Sequence, residues 1–337
     1  MDDRALAAWF TAADPSITPP LTLDLLSGGH SNLTYRVTDA AGRRFVLRRP
    51  PEGAAGIHDV VREHRIAGAL AGAGVPVAPL LGVCTHDEVL GVPFGVSGWV
   101  DGHVVETPAD ADAVLAGPAR ITAAEQLVDV LVALHAVDVH AVGLGELLRP
   151  ESYATRQLRR MGTLWERTRT RPLAIVDEVR ERLERGRPQA AAPGLVHGDY
   201  RLGNVMVDGA GRILAVLDWE LATHGEPLAD LAFLLGNWEE PDEGGRTVWM
   251  ADPPTRAGGF PSRAALVERY AARSGRDVSD LPYYRALSLW RTAVIAEGML
   301  RRYTEGRMGD TAVDFDHLRE RVPRFAELAR EQLAAHA

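Results

Sequence analysis

Residues Leu195 to Glu220 read LVHGDYRLGNVMVDGAGRILAVLDWE. Gly194-Leu195-Val196 is a short apolar entry into a loop. Val205-Met206-Val207 and Ile213 to Leu217 read as two apolar strands. Asp208-Gly209-Ala210-Gly211 joins them as a hairpin, with glycine supplying positive φ. Folding the chain back this way brings Asn204 and Asp218 together at the open end of the hairpin, although they are far apart in sequence. Asp199 precedes both on the entry loop.

Three polar groups in this order suit one chemistry. Transfer of a phosphoryl group from a nucleotide needs a carboxylate to accept a hydroxyl proton, and an amide and a second carboxylate to hold magnesium. His197, Asp199 and Asn204 match the kinase spacing His-x-Asp-x-x-x-x-Asn, and Asp218 stands where the metal-binding Asp follows. Asp, Asn and Gly are common in turns, so any two of these would be weak evidence. All three at this spacing, between apolar runs, point to a kinase-type site.

The rest of the chain bounds the class. Its 337 residues are 46% hydrophobic, enough for a sizeable core, and suit two packed lobes. A net charge of −9 argues against a general nucleic-acid or anionic-membrane surface. Cys84 is the single cysteine, which leaves no intrachain disulfide and no cysteine-based zinc cluster. No basic segment followed by an apolar core opens the chain, and no run reaches about 18 apolar residues. The expected location is the cytoplasm, with no membrane partner. Every basic residue other than histidine is arginine; lysine is absent. A kinase normally sets one lysine on the phosphates, so an arginine must take that role here or the role is empty.

Residues 1–100 read as an N-lobe that clamps a nucleotide. A short helix over 2–13 is followed by strands near 21–26, 33–38 and 44–49, a helix over 57–72, and strands near 80–84 and 93–100. The turn after the first strand holds Gly28, Gly29, His30, Ser31 and Asn32. Glycines there would let backbone amides approach phosphate oxygens; a plain turn would look the same. Arg48 on the third strand occupies the place of the phosphate lysine, and Glu63 on the next helix that of its carboxylate partner. Alternation sends Arg49 to the opposite face. Ser97 to Trp99 leads toward the second lobe, where backbone groups could meet a base. From 101 to 337 the chain is largely helical, with helices expected near 119–136, 156–168, 173–187, 227–238, 262–274, 281–303 and 315–335. Residues 239–259, rich in Gly, Pro and charge, form a candidate mobile loop.

With these elements placed, the chain resembles the aminoglycoside phosphotransferase-type, or choline-kinase-like, small-molecule kinases. The runs VHGDYRLGN (196–204), VLDWELA (216–222), GEPLADLA (225–232) and VLRRPP (46–51) resemble the branch that includes the kinase-like domain fused to some acyl-CoA dehydrogenases. The similarity spans about residues 20–305. It implies an α+β, protein-kinase-like bilobal fold, with a small five-stranded antiparallel N-lobe and a larger helical C-lobe. It further implies ATP or GTP with Mg2+ in the cleft. Asp199 would be the catalytic base, Asn204 and Asp218 the metal ligands, His197 a structural loop histidine, and Asp230 the helix residue that braces the loop. The branch favours a hydroxyacyl thioester or another small hydroxylated metabolite as acceptor. An aminoglycoside would instead call on acidic side chains, for which Glu239, Glu240, Asp242 and Glu243 are candidates. A nucleotide-binding module without turnover is a second reading, motivated by the missing lysine. A transition-metal hydrolase using His197, Asp199, Asp218 and His224 is a third. His58, His64, His86, His103, His135 and His140 show no ligand spacing.

Overall fold

A computed structural model describes residues 3–28, 32–51, 59–189, 192–241, 243–244, 252–306 and 315–336. The first part is an antiparallel sheet of five strands in the order β1-β2-β3-β5-β4. They are β1 (Thr22–Gly28), β2 (Leu33–Thr38), β3 (Arg44–Arg49), β4 (Leu80–Cys84) and β5 (Phe94–Gly98). Helix α1 (Asp3–Ala13) lies against this sheet because Leu6 and Phe10 share one helical face. They meet Phe45, Leu47, Phe94 and Val96 from alternate strand positions. Burying each such side chain contributes roughly 1.5–3 kcal/mol. Cys84 belongs to this core, as its apolar surroundings predict.

Between β3 and β4 runs α2 (Val60–Leu70), capped by Asp59, whose side chain accepts the Arg62 N–H. Its inner face carries Val60, Ile66 and Leu70, and also two polar residues, Glu63 and His64. Gly95 on β5 makes room for the second: a Cβ there would sit 2.4 Å from His64 Nδ1.

The second part is mostly helical. It contains α3 (Pro108–Val114), α4 (Pro118–His135), α5 (Tyr153–Thr168), α6 (Ala174–Arg185), α7 (Leu228–Gly236), α8 (Arg263–Ser274), α9 (Leu281–Thr304) and α10 (Phe315–His336). Helix α9 is the axis of this lobe and buries Tyr283, Leu287 and Trp290 on one side. Ala293 and Ala296 receive Val322 and Phe325 of α10 on another. Short strands interrupt the helices: β6 (His103–Val104), β7 (Gly194–Val196), β8 (Val205–Val207), β9 (Ile213–Val216) and β10 (Thr223–Gly225). They form a three-stranded sheet, β6-β8-β9, and a pair, β10-β7. The apolar entry at 194–196 is therefore a strand held by β10 rather than free loop. Helix α3 and the strands β6 and β10 have no counterpart in the periodicity of the sequence. No helix among the described residues is long and apolar enough to cross a membrane.

Candidate active site

The β8–β9 hairpin does what its sequence predicts. Val205 pairs with Val216, and the Leu217 N–H donates to the Asn204 carbonyl at 2.8 Å. Asp208 folds the turn by accepting the N–H groups of Ala210 (3.0 Å) and Arg212 (2.9 Å). Gly211 takes the left-handed backbone, at φ 83°. Asn204 and Asp218 thus flank the open end.

Asp199 is fixed by a dense set of hydrogen bonds. The Asn204 amide nitrogen donates to the Asp199 carbonyl and to its Oδ2, both at 2.7 Å. The buried His197 ring accepts the Asp199 N–H at Nδ1 (3.2 Å) and faces the Leu217 carbonyl with Nε2 (2.8 Å). Those partners require the proton on Nε2. Asp230, on the first turn of α7, accepts the N–H of His197 at 2.5 Å and of Gly198 at 2.8 Å. His135, at the end of α4, approaches the same carboxylate at 3.4 Å and meets Tyr270 Oη at 2.8 Å. Burial opposes the Asp230 charge, but His135, His197 and the Gly198 N–H outweigh it, so its pKa lies below the ordinary value. Burial also lowers the pKa of His135. Gly198 has φ 87°, and a Cβ there would lie 2.9 Å from the Leu221 carbonyl oxygen, so the loop needs glycine at this point.

Asp199 itself has a raised pKa. Burial is the main cause and the Asp218 charge adds to it, against Arg201, the Asn204 hydrogen bond and His197.

Asp218 is held differently. It is the sole non-glycine residue with positive φ among the described residues (φ 62°, ψ 64°). For a branched polar side chain such a backbone costs on the order of 1 kcal/mol and marks a constrained position. Its Oδ1 is buried without a hydrogen-bond partner. Arg48 Nη2 stands 3.6 Å from that oxygen, and Arg48 Nη1 contacts Glu63 Oε1. Arg48 therefore spans the two carboxylates. Burial, with the charges of Asp218 and Glu220, pushes Glu63 up to about 7, against the pull of Arg48. Arg62, one residue before, ties α2 to the segment after Asp218 through the carbonyls of Glu220 (2.9 Å) and Ala222.

A cleft separates the sheet from these loops. One compartment, about 430 Å3, is lined by Arg48, Trp99, Asn204 and Asp218. A narrower apolar compartment behind it is lined by Val46, Ala78, Ser97, Met206 and Val216, with Arg48 and Asp218 common to both. Of the connector groups expected to meet a base, the Gly98 N–H donates to Pro79 (2.7 Å) and the Trp99 N–H to Arg44 (3.2 Å). The Trp99 indole donates to Asp101 at 3.1 Å and its ring lies under Arg44. Val100, which lines both compartments, is the next residue along. Asn32 is buried with both side-chain polar atoms unpartnered. Gly28 ends β1, while Gly29, His30 and Ser31 lie outside the described residues. Arg49 does turn away from Arg48, packing over Tyr35 at 5.8 Å.

The donor set at Asn204 and Asp218 suits magnesium. The Asn204 nitrogen is committed to Asp199, which leaves its carbonyl oxygen, and Asp218 offers an unpartnered carboxylate oxygen. Two hard oxygen ligands, completed by waters and phosphates, are the usual magnesium set. The transition-metal alternative fails here. Both ring nitrogens of His197 are occupied, and no three His, Cys, Asp or Glu side chains converge among the described residues.

Residues 22–290 match the family model described as "Phosphotransferase enzyme family". The chain belongs to this family. Among curated relatives, mouse "Acyl-CoA dehydrogenase family member 10" is 31% identical over 297 residues, covering 86% of this chain and 27% of its own length. Rat "Acyl-CoA dehydrogenase family member 11" is 31% identical over 303 residues, covering 85% of this chain and 37% of its own length. The chain thus spans roughly a quarter to two fifths of these relatives. A solved structure from Ralstonia eutropha JMP134, assigned to the aminoglycoside phosphotransferases, superposes with a TM-score of 0.83 at 31% identity, covering 99% of this chain and 98% of that one. Aminoglycoside phosphotransferase APH(4)-Ia, solved with AMP-PNP and hygromycin B, gives 0.62 at 18% identity over 97% and 98% of the two chains, a likeness of fold. The protein-kinase-like bilobal architecture and the resemblance to the dehydrogenase-fused branch are both borne out.

Sequence reasoning missed His135, Arg62 and Arg201. His135 reaches Asp230 from another helix, the Arg62 side chain bonds to the carbonyls of Glu220 and Ala222, and Arg201 acts on Asp199 through charge. None leaves a spacing pattern. The acidic loop also reads differently in three dimensions. Arg256 pairs with Glu239 at 2.8 Å, and Arg263 with Glu243 at 2.5 Å and Glu240 at 3.7 Å. Asp242 lies outside the described residues.

Proposed function

We propose that this chain is a magnesium-dependent small-molecule kinase that moves the γ-phosphoryl group of ATP or GTP to a hydroxyl. A hydroxyacyl thioester is the favoured acceptor class, and the cytoplasm its place of work. The observation that carries this reading is that Asn204, Asp218 and Arg48 line one cleft, with Glu63 behind Arg48 in the adjoining compartment and Asp199 hydrogen-bonded to Asn204 at its edge. In this reading Asp199 orients the acceptor hydroxyl and takes its proton as the oxygen attacks the γ-phosphorus. The bond to the β-phosphate oxygen breaks and a nucleoside diphosphate leaves. Asn204 keeps Asp199 in place, and its carbonyl oxygen and the Asp218 carboxylate would hold the cation. Magnesium, when bound, would offset charge on the phosphate oxygens. Arg48, set by Glu63, takes the position of the missing lysine and offers two donors where lysine offers a point charge. Positioning and fixed charge supply most of the rate enhancement in such a site.

Engagement of Glu239 by Arg256, and of Glu240 and Glu243 by the single Arg263, leaves less acid for a polycationic acceptor and disfavours an antibiotic kinase. The test is ADP release on mixing the chain with Mg-ATP or Mg-GTP and a panel of hydroxyacyl-CoAs and aminoglycosides. Turnover of a hydroxyacyl-CoA with little on aminoglycosides is expected. Failure to bind either nucleotide in the presence of magnesium would sink the kinase reading. Tight binding with no turnover across the panel would favour the non-catalytic module.

A further inference from the structure

A second cavity, about 310 Å3, opens where the last turn of α7 and the start of α8 meet α9 and α10. It has room for about ten waters. Its described lining carries three arginines and two glutamates. Two of the arginines have partners. Arg263 holds both Glu243 oxygens at 2.5 Å. Arg324 stands 3.2 Å from Glu327 and 3.8 Å from Glu331, the other glutamate of the lining.

Arg285 is different. It is partly buried on α9 and, among the described residues, makes no hydrogen bond and no ion pair. Burial and the like charge of Arg263 lower its pKa, against the weaker pull of Glu243 and Glu240. A guanidinium that faces a cavity with no carboxylate held against it is open to charge-assisted hydrogen bonds with an anion. Ser288, one turn further along α9, lines the same cavity. Gly236 of α7 lies opposite, and a Cβ built there would be 4.0 Å from Ser288 Oγ.

We infer that this cavity binds a phosphate-type anion, paired with Arg285 and hydrogen-bonded by Ser288. The volume leaves room for a larger molecule to carry the anion. Helix α7 joins this site to the catalytic loop: Asp230 on its first turn lies about 9 Å along the axis from Gly236. The anion could be the acceptor's own phosphate or a separate anionic effector. Assigning it to the acceptor rests on the kinase reading; the binding site itself does not.

The deciding measurement is calorimetric titration of adenosine 3′,5′-bisphosphate into protein whose cleft is already filled with Mg-AMP-PNP. The wild type should take up one further anion, displaced by inorganic phosphate. Arg285→Gln should weaken it at least tenfold, with AMP-PNP affinity and Tm unchanged, and Arg285→Lys should restore most of it. Should Arg285→Gln fold poorly, Ser288→Ala provides the same comparison with a smaller loss. Equal affinity in wild type and variant, or no saturable binding to the filled wild type, overturns the site. A second arm separates the sources. A tenfold higher KM in Arg285→Gln for a hydroxyacyl-CoA, but not for the matching pantetheine thioester, assigns the anion to the acceptor. Unchanged KM for both, with bisphosphate binding lost, assigns it to an effector. If neither thioester turns over, the acceptor reading fails while the titration still decides the site.

Discussion

Asp199 and Glu243 are both carboxylates on loops of the helical lobe, yet only one of them is left to act on another molecule. Asp199 receives an amide from Asn204, which positions the charge without cancelling it. Glu243 receives the guanidinium of Arg263 through both oxygens, which cancels it. Charge count along the sequence treats the two alike. What separates them is whether the hydrogen-bonding partner is neutral or cationic, and whether that partner lines the cleft, as Asn204 does. The same contrast runs through the neighbouring residues. Asp218 keeps a buried oxygen without a hydrogen bond, with Arg48 no nearer than 3.6 Å, while Glu239 is hydrogen-bonded by Arg256 at 2.8 Å.

The sharpest way to break this contrast is to neutralise both acids. Asp199→Asn should lower kcat about 10³-fold, the scale of losing a general base. Mg-ATP affinity should change little, because Asn204, Asp218 and Arg48 remain. Glu243→Gln should leave kcat within the same order of magnitude. Comparable losses in the two variants, measured by ADP release, would show that the acidic loop also touches the reacting groups.

Next in size is the brace beneath the loop. Asp230→Ala removes the acceptor of two backbone N–H groups and leaves buried His135 without its carboxylate. The expected cost is roughly 3 kcal/mol, since removing one charged member of a buried network strands the others. Thermal unfolding should report it. A drop in kcat at unchanged Tm would mean instead that Asp230 aims Asp199 without stabilising the fold.

These two regions also explain what the sequence could and could not reveal. Around Asp199 the partners sit at fixed short separations, and a hairpin with an Asx turn and one left-handed glycine fixes their meeting. Asp230 was legible because an acid among Leu228, Leu231 and Leu234 on one helix has to be buried and bonded. His135 was not, because its contact crosses between helices. Strands β6, β7 and β10 are too short for a period to register. The roles of Glu239, Glu240 and Glu243 were hidden for another reason: arginines follow them in the loop (Arg256) and at the start of α8 (Arg263), and spacing alone does not say which charges close on each other. Arg48 fell between these cases. Its strand position pointed to Glu63, but its second arm toward Asp218 required the hairpin to be folded.

The smallest test tunes the partner instead of removing the acid. The Arg201 charge is the largest influence holding Asp199 below the pKa that burial alone would give. Asp199 must be ionised to accept a proton, so activity falls as pH drops through its pKa, which stands above the ordinary aspartate value. Arg201→Gln removes the opposing charge, so the carboxylate holds its proton to higher pH and the acid limb of kcat/KM moves upward. The variant should lose activity a few-fold on the acid limb and match the wild type on the plateau above it. A loss equal on limb and plateau would mean that Arg201 positions the acceptor or packs against Glu106, 3.7 Å away, instead of setting the charge of the base. A limb moving downward would reverse the sign of the electrostatics and, with it, the claim that a neutral partner is what leaves Asp199 able to act.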